Sequence, residues 1–403
     1  MRSFDPSPDD QIALFGEDFV FQAHPGARRM VYAQEGTRAT LFKIRDSRNG
    51  DFALKVFKES FRDPQQHTVA ERLARYKAIA GLQAADRRVV LPGDAGLPPA
   101  LELSVVMPWI QGITWFDALQ RARRGEHLCP EAAIHLCRRF LAVLQSLEER
   151  GLAHTDVAAG NVVIDLASLT VQLIDLEELF GPSFVAPPKV TGRTPGYTRK
   201  DLGVPTAGFW TAAADRFAGA VLAAEILVLS SPTLAPTSNG DSFFEPDSIG
   251  QPDAPRFRAA VEYLRQLSPS FAQLFEQAWT APTLADCPPI AEYARPIEVL
   301  AGQTRPPSGD PFRRALRAPS VTAAPAATLS GPVGGWTPIL DRARQPRRAA
   351  GSDRNPVVQP SMAPAPAPVP SRPPRRTPYA LIAFVIALAL GLLALSLATA
   401  GHL

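Results

Sequence analysis

Cysteine is scarce in this sequence. The 403 residues include three, Cys129, Cys137 and Cys287, and no two of them make a C-x-x-C pair. That excludes an even disulfide framework and a zinc site of the usual spacing, and it fits a reducing compartment. The N-terminus lacks an apolar run of the kind a secretory leader needs, so no cleaved signal is expected there. There is no internal repeat. Lysine and glutamate are missing from Gly302 to Leu403, a stretch that carries twelve Arg and three Asp. The net charge of +3 therefore hides an asymmetry, because this C-terminal stretch carries +9 and residues 1–301 carry −6. The positive charge lies in the tail, so no nucleic-acid partner is expected for the rest of the chain.

What is present bounds the rest. Hydrophobic residues make up 46% and charged residues 20%, enough to bury a core and to exclude a wholly disordered chain. The length allows two or three domains, or one large domain with appendages. Ala380 to Ala400 is 21 residues without a charge. As a helix it would span about 30 Å, the hydrocarbon thickness of a bilayer. We expect a transmembrane helix over residues 379–401. Arg372, Arg375 and Arg376 precede it, so the N-terminal part is expected on the cytoplasmic side of the cytoplasmic membrane, in a single-pass, tail-anchored layout. Residues 302–378 hold seventeen of the 41 prolines, including APAPAPVP, and read as a disordered Pro/Arg/Ala-rich linker.

Residues 1–301 are expected to be folded. Phe52–Phe57 alternates around a lysine and reads as a strand, as does the short apolar run Leu103–Met107. Val69–Leu82 and Cys129–Arg150 have helical period, and Asp215–Leu229 reads as a buried helix. Asn161–Asp165 and Val171–Asp175 read as two short strands joined by a turn. Strands first and helices later point to an α+β fold in two lobes.

The informative segment is Gly151–Pro182, GLAHTDVAAGNVVIDLASLTVQLIDLEELFGP. Asp156 and Asn161 flank a loop of small residues, and Asp175 ends an apolar strand. A carboxylate to orient a hydroxyl, with an amide and a second carboxylate to hold Mg²⁺ on phosphates, is the set that phosphoryl transfer requires. Asp and Asn also favour turns for purely local reasons, so the pattern alone is not specific.

The segment resembles the catalytic loop and metal motif of the protein kinase superfamily. His154-Thr155-Asp156 resembles H-R-D, Asn161 falls at its partner asparagine, and Asp175-Leu176-Glu177 stands in the D-F-G place. Phe52-Ala53-Leu54-Lys55 resembles V-A-I-K, and Glu71 lies sixteen residues beyond Lys55, where the family places the helical glutamate that pairs with the lysine. Met107-Pro108-Trp109-Ile110-Gln111-Gly112 resembles the hinge, Arg193-Thr194-Pro195-Gly196-Tyr197 the substrate loop, and Asp215–Leu227 the helix whose aspartate braces the catalytic loop. These marks keep the family's order over about Val31–Leu300.

The resemblance implies a two-lobed protein kinase-like fold, with a small lobe over about 10–107 and a large lobe over about 113–301. It implies ATP and Mg²⁺ as cofactors and a protein substrate. Asp156, Lys55 and Glu71 would be catalytic, Asn161 and Asp175 would hold the metal, and Gly36, Leu41, Ala53, Lys55, Met107 and Trp109 would contact the nucleotide. The chain departs from the pattern in places. Gln34, Gly36 and Ala39 fall at the three glycine places of the phosphate loop, so one glycine remains. Thr155 replaces the arginine that receives an activation-loop phosphate, and Ala158 replaces the loop lysine. Leu176-Glu177 replaces F-G, and Arg199-Lys200-Asp201 replaces A-P-E. A membrane-tethered serine/threonine kinase is therefore weighed against a pseudokinase scaffold, whose Pro-rich tracts would dock partners, and against a small-molecule phosphotransferase of the aminoglycoside or choline kinase type.

Overall fold

The alternating segment around Lys55 is a strand in the interior of the main sheet. A computed structural model describes residues 4–93, 96–186, 194–198, 209–238, 240–314 and 337–338. Within these the fold is a mixed α+β arrangement of a curled antiparallel sheet and seven α-helices. Strands β1 (Gln11–Leu14) and β2 (Glu17–Phe21) form one hairpin, and β3 (Ala23–His24) and β4 (Ala27–Val31) form another. Strands β5 (Ala33–Glu35), β6 (Ala39–Asp46) and β7 (Asp51–Phe57) follow, then helix α1 (Gln66–Leu73), β8 (Arg88–Val89) and β9 (Val105–Pro108). The sheet order is β1-β2-β6-β7-β9-β8. One edge of β6 is shared, with β2 on its residues 44–46 and β5 on its residues 40–42.

Strand periodicity separates the two faces of this sheet. Phe42, Leu54 and Val106 pack with Phe19 and Phe21 into a core on one side. Leu41 lies opposite Lys55, which lies opposite Val105, and Ala53 lies opposite Met107. Leu41, Ala53, Lys55 and Met107 therefore share the other face, and of these Leu41, Ala53 and Met107 join the larger core.

The chain passes from sheet to helices between Pro108 and Ile113. Strand β10 (Ile113–Thr114), α2 (Trp115–Arg123), β11 (Glu126–Leu128) and α3 (Pro130–Glu148) come first. Strands β12 (Val162–Asp165) and β13 (Thr170–Leu173) follow, then α4 (Ala214–Val228), α5 (Pro255–Leu267), α6 (Pro269–Thr280), α7 (Ile290–Gly302), β14 (Phe312–Arg314) and β15 (Thr337–Pro338), which pairs with β5. Helix α4 is almost wholly apolar because it is buried nearly all round, its one mid-helix charge being the hydrogen-bonded Glu225. Every residue from Phe217 to Val228 is buried, against α3, α5, α6 and α7. A Cβ at Gly219 would stand 2.7 Å from Leu144 of α3, so glycine sets that close approach.

Three boundaries differ from the sequence reading. The helix expected over Val69–Leu82 stops at Leu73 and gives way to a 3₁₀ turn at Ala74–Tyr76. The strand expected from Leu103 begins at Val105, because Leu103 has φ 62° and belongs to a turn. The ordered part does not end at residue 301. Strand β14 pairs with β11, placing Phe312 opposite Leu128 in a buried position. Arg121 bonds Asp310 at 2.9 Å and stacks 4.0 Å from the Phe312 ring, so charge and burial together hold this strand. Residues 315–336 and 339–378 of the expected linker, and the span 379–401, lie outside the described residues. Among the described residues no helix is long and apolar enough to cross a membrane.

Candidate active site

The site forms where the inner face of the sheet meets the loop after α3. His154-Thr155-Asp156 is fixed from below by Asp215, in the first turn of the buried helix α4. Its two carboxylate oxygens accept the backbone N–H groups of His154 (2.5 Å) and Thr155 (2.8 Å). Burial pushes the Asp215 carboxyl above its ordinary value, and His154 and these two backbone donors oppose the rise. The bonds hold Thr155 at φ 70°, a left-handed conformation that a β-branched residue adopts only under constraint. Its hydroxyl donates to the Glu178 carbonyl at 2.8 Å. His154 is fully buried. Its Nε2 faces the Ile174 carbonyl at 2.8 Å and its Nδ1 faces the Asp156 N–H at 3.3 Å. A carbonyl only accepts, so Nε2 carries the proton and Nδ1 accepts. The imidazole thus links the Asp156 loop to the residues after β13 that lead to Asp175.

Asn161 donates through Nδ2 to the Asp156 carbonyl (2.9 Å) and to the Asp156 carboxylate (3.0 Å). Its backbone carbonyl accepts the Ile174 N–H at 3.0 Å, which places Asn161 beside the end of β13. The other Asp156 carboxylate oxygen accepts the Thr194 hydroxyl at 3.0 Å. Asp156 also borders a small cavity lined by Val157, Tyr197, Phe209, Phe217 and Leu284. Asp175 has φ 63° and ψ 55°, and its side chain remains 31% exposed.

Lys55, buried on β7, reaches across to this assembly. Its Nζ lies 2.6 Å from Asp175 Oδ1 and 3.0 Å from Glu177 Oε1. Arg87, also buried, donates Nη1 to the same Glu177 oxygen at 3.0 Å and Nε to the Ala84 carbonyl at 2.8 Å. Burial works to lower the Lys55 ammonium, but Asp175 and Glu177 hold it above the ordinary lysine value. Burial pushes Asp175 up to about 6 against the pull of Lys55. Burial acts the same way on Glu177, yet Lys55 and Arg87 together keep it well below the ordinary carboxylate range.

The structure thus brings together Lys55, Asp156, Asn161 and Asp175, with Leu41, Ala53 and Met107 on the same sheet face as Lys55. Trp109 follows β9, donating its N–H to Asp51 at 3.0 Å and meeting Tyr32 edge to face at 5.1 Å. Gly36 turns the β5–β6 hairpin, donating its N–H to Ala39 at 2.8 Å. Glu71 is the exception. The Lys55–Glu71 pair expected from the sequence is not formed. Helix α1 buries Gln66, Ala70 and Leu73, and Glu71 lies off that stripe, 66% exposed, 3.8 Å from His67. Glu177 stands beside Lys55 instead.

Sequence reading also missed Arg87 and Arg38. Arg38, in the β5–β6 turn, bonds Glu178 at 2.8 Å. The signal for Glu177 was a second acid two residues after Asp175. Nothing in the sequence marked Arg87 apart from the chain's many other arginines.

No family model and no curated protein matches the chain.

Proposed function

We propose that the chain is an ATP- and Mg²⁺-dependent protein serine/threonine kinase with a two-lobed protein kinase-like fold, tethered to the cytoplasmic membrane by its C-terminal apolar segment. The observation that carries this reading is the meeting of Lys55 with Asp175 at 2.6 Å, beside an Asp156 that Asn161 and Thr194 both hold. A buried cation, two carboxylates and an amide from three stretches of chain converge, which turn chemistry alone does not require.

The donor set fits magnesium. Both hydrogen bonds of the Asn161 amide nitrogen go to Asp156, which leaves its oxygen for a cation, and Asp175 offers a partly exposed carboxylate. Among the described residues no cluster of three His, Cys, Asp or Glu side chains forms a closed metal cage. One carboxylate and one amide match an ion that keeps water and binds phosphates for its remaining ligands. With ATP bound, the metal would neutralise charge on the phosphates. Lys55 would hold the phosphate chain from the sheet side, and Leu41, Ala53 and Met107 would bound the base. Asp156 would orient the acceptor hydroxyl, its own geometry fixed by Asn161, Thr194 and the Asp215-braced backbone.

The test is phosphate transfer from labelled ATP to a generic protein acceptor with Mg²⁺, in wild type and Asp156→Ala. A sugar and alcohol panel run alongside identifies a small-molecule phosphotransferase if only those acceptors are labelled. A second reading, a nucleotide-binding scaffold without transfer, is favoured by the direct Lys55–Asp175 contact, which closes the cation against the metal-site acid. Thermal stabilisation by Mg·ATP with no labelled acceptor would select it.

A further inference from the structure

The buried charges behind Lys55 form a unit. Glu177 Oε1 receives both Lys55 Nζ and Arg87 Nη1, each at 3.0 Å. The Lys55 side chain is 7% exposed and that of Arg87 only 1%, so neither cation draws on bulk water for its counter-charge. Removing one partner of such a buried pair strands the others, which is why these groups hold one another in place. Asp175 also touches Lys55, but Asp175 is the carboxylate assigned to the metal. A carboxylate bound to a divalent cation has less negative charge left for an ammonium. Glu177 has no such second duty.

We propose that Glu177 is the positioning residue for Lys55, in place of any acid on helix α1, and that Arg87 keeps it there. This role rests on the phosphotransferase reading above. Glu177 sits two residues beyond Asp175 on the same 3₁₀ turn. The metal-holding carboxylate and the acid that aims the phosphate-holding lysine therefore move as one piece. Arg87 is anchored independently, through Nε to the Ala84 carbonyl. Arg87 Nη2 and Glu177 Oε2 are both buried without a hydrogen bond. They are a complementary donor and acceptor. Bringing these two atoms together would make the Arg87–Glu177 pair bidentate and keep Glu177 satisfied if Lys55 turns toward a phosphate. Helix α1 is then free of the catalytic constellation, as the outward-facing Glu71 requires.

The experiment measures Mg·ATP affinity, by a fluorescent nucleotide analogue, together with KM and kcat, on the full chain and on Glu177→Gln, Glu177→Asp and Glu71→Gln. Glu177→Gln should weaken Mg·ATP binding about tenfold or more, the scale of a hydrogen bond to a charged group, and should leave the acceptor KM unchanged. Glu177→Asp should retain more affinity than Glu177→Gln. A role in packing alone predicts the opposite order, because Gln keeps the shape and Asp keeps only the charge. Glu71→Gln should stay within about twofold of wild type, as an exposed substitution does. Loss of affinity in Glu71→Gln, or wild-type affinity in Glu177→Gln, overturns the assignment. Should Glu177→Gln fail to fold, Glu71→Gln and Glu177→Asp still decide it. A wild-type chain that binds no Mg·ATP overturns the kinase reading and this role with it. A wild type that binds while Glu71→Gln is the damaged variant overturns this role alone.

Discussion

Replacing Asp215 tests how the site is held. Its carboxylate accepts two backbone N–H groups, from His154 at 2.5 Å and Thr155 at 2.8 Å, and all three residues are buried. A hydrogen bond to a charged group contributes about 1.5–3 kcal/mol. Asp215→Ala removes both, so the expected loss is roughly 3–6 kcal/mol, a large part of the 5–15 kcal/mol typical of a folded domain. Asp215→Asn is the more informative change. It keeps one acceptor oxygen but turns an NH₂ group toward the other backbone donor, so roughly half the loss, about 1.5–3 kcal/mol, is expected. Thr155 adds to the effect. Its φ of 70° persists because the Asp215 bond and the hydroxyl bond to Glu178 outweigh its strain. With one bond weakened the loop relaxes, and Asp156, the next residue, loses its aim. Urea denaturation followed by tryptophan fluorescence gives the stability, and transfer assays on the same preparations give the rate. Asp215→Asn should be destabilised by the stated amount and slow in turnover, with nucleotide affinity near wild type, since Asp215 bonds neither Lys55 nor Asp175. An Asp215→Asn protein within about 0.5 kcal/mol of wild type, the range of an inconsequential surface change, would refute the reasoning.

Three further outcomes are expected. Asp156→Ala should spare nucleotide affinity and cost about 10²–10⁴-fold in turnover, whereas Lys55→Met should lower both; equal transfer rates in both variants and wild type would place the chemistry elsewhere. The buried Glu225 is pushed up to about 7 by burial, against donors from Ser242, Tyr197, Phe243 and Trp115. Its folded-state value lies above the ordinary 4.5, so its contribution to stability is complete below 4.5 and is lost as pH rises through about 7, roughly 3 kcal/mol in all. Melting curves from pH 4.5 to 8 should show that decline in wild type and a flatter profile in Glu225→Gln, and parallel profiles would rule it out. A chain ending at Ala301 should be less stable than one ending at Arg314, by about the 1.5–3 kcal/mol of burying one large apolar side chain, Phe312; equal urea midpoints would show that β14 adds nothing.

The parts of the fold legible in the sequence are those in which a local pattern and its tertiary environment agree. The strand around Lys55 alternates because one face meets Phe19 and Phe21 and the other meets the helical core. Asp215–Leu229 reads as a buried helix because no polar stripe interrupts it, and α4 is buried on all sides. Asp156, Asn161 and Asp175 stand out in the sequence at a loop and a strand end, and the fold brings those two segments side by side. What failed was rotation. The helical period of Val69–Leu82 does not tell which side of α1 faces inward, and Gln66, Ala70 and Leu73 settle that only once they pack. A one-residue difference in phase sends Glu71 to solvent. Phe312 was hidden for another reason, since a three-residue strand among prolines and arginines gains its meaning only from β11, which lies far back in the sequence.

The segment Leu176–Glu178 joins three parts of the site. Glu177 bonds Lys55 of the sheet and Arg87 from just before β8. The Glu178 carboxylate bonds Arg38 of the β5–β6 turn, and its carbonyl accepts Thr155 of the loop after α3 and Trp210. One 3₁₀ turn therefore ties the β5–β6 hairpin, strand β7 and the loop after α3 together through two adjacent acids, Glu177 and Glu178. The Thr155 hydroxyl is satisfied by the same turn, at the Glu178 carbonyl. In the phosphotransferase reading, the contacts that a mobile helix or a phosphorylated loop would complete are made by fixed, buried charges. The site is preorganised at the cost of burying two cations and the acid between them, and in that reading activity should depend on Lys55, Arg87 and Glu177 with the partly exposed Asp175, rather than on the position of α1.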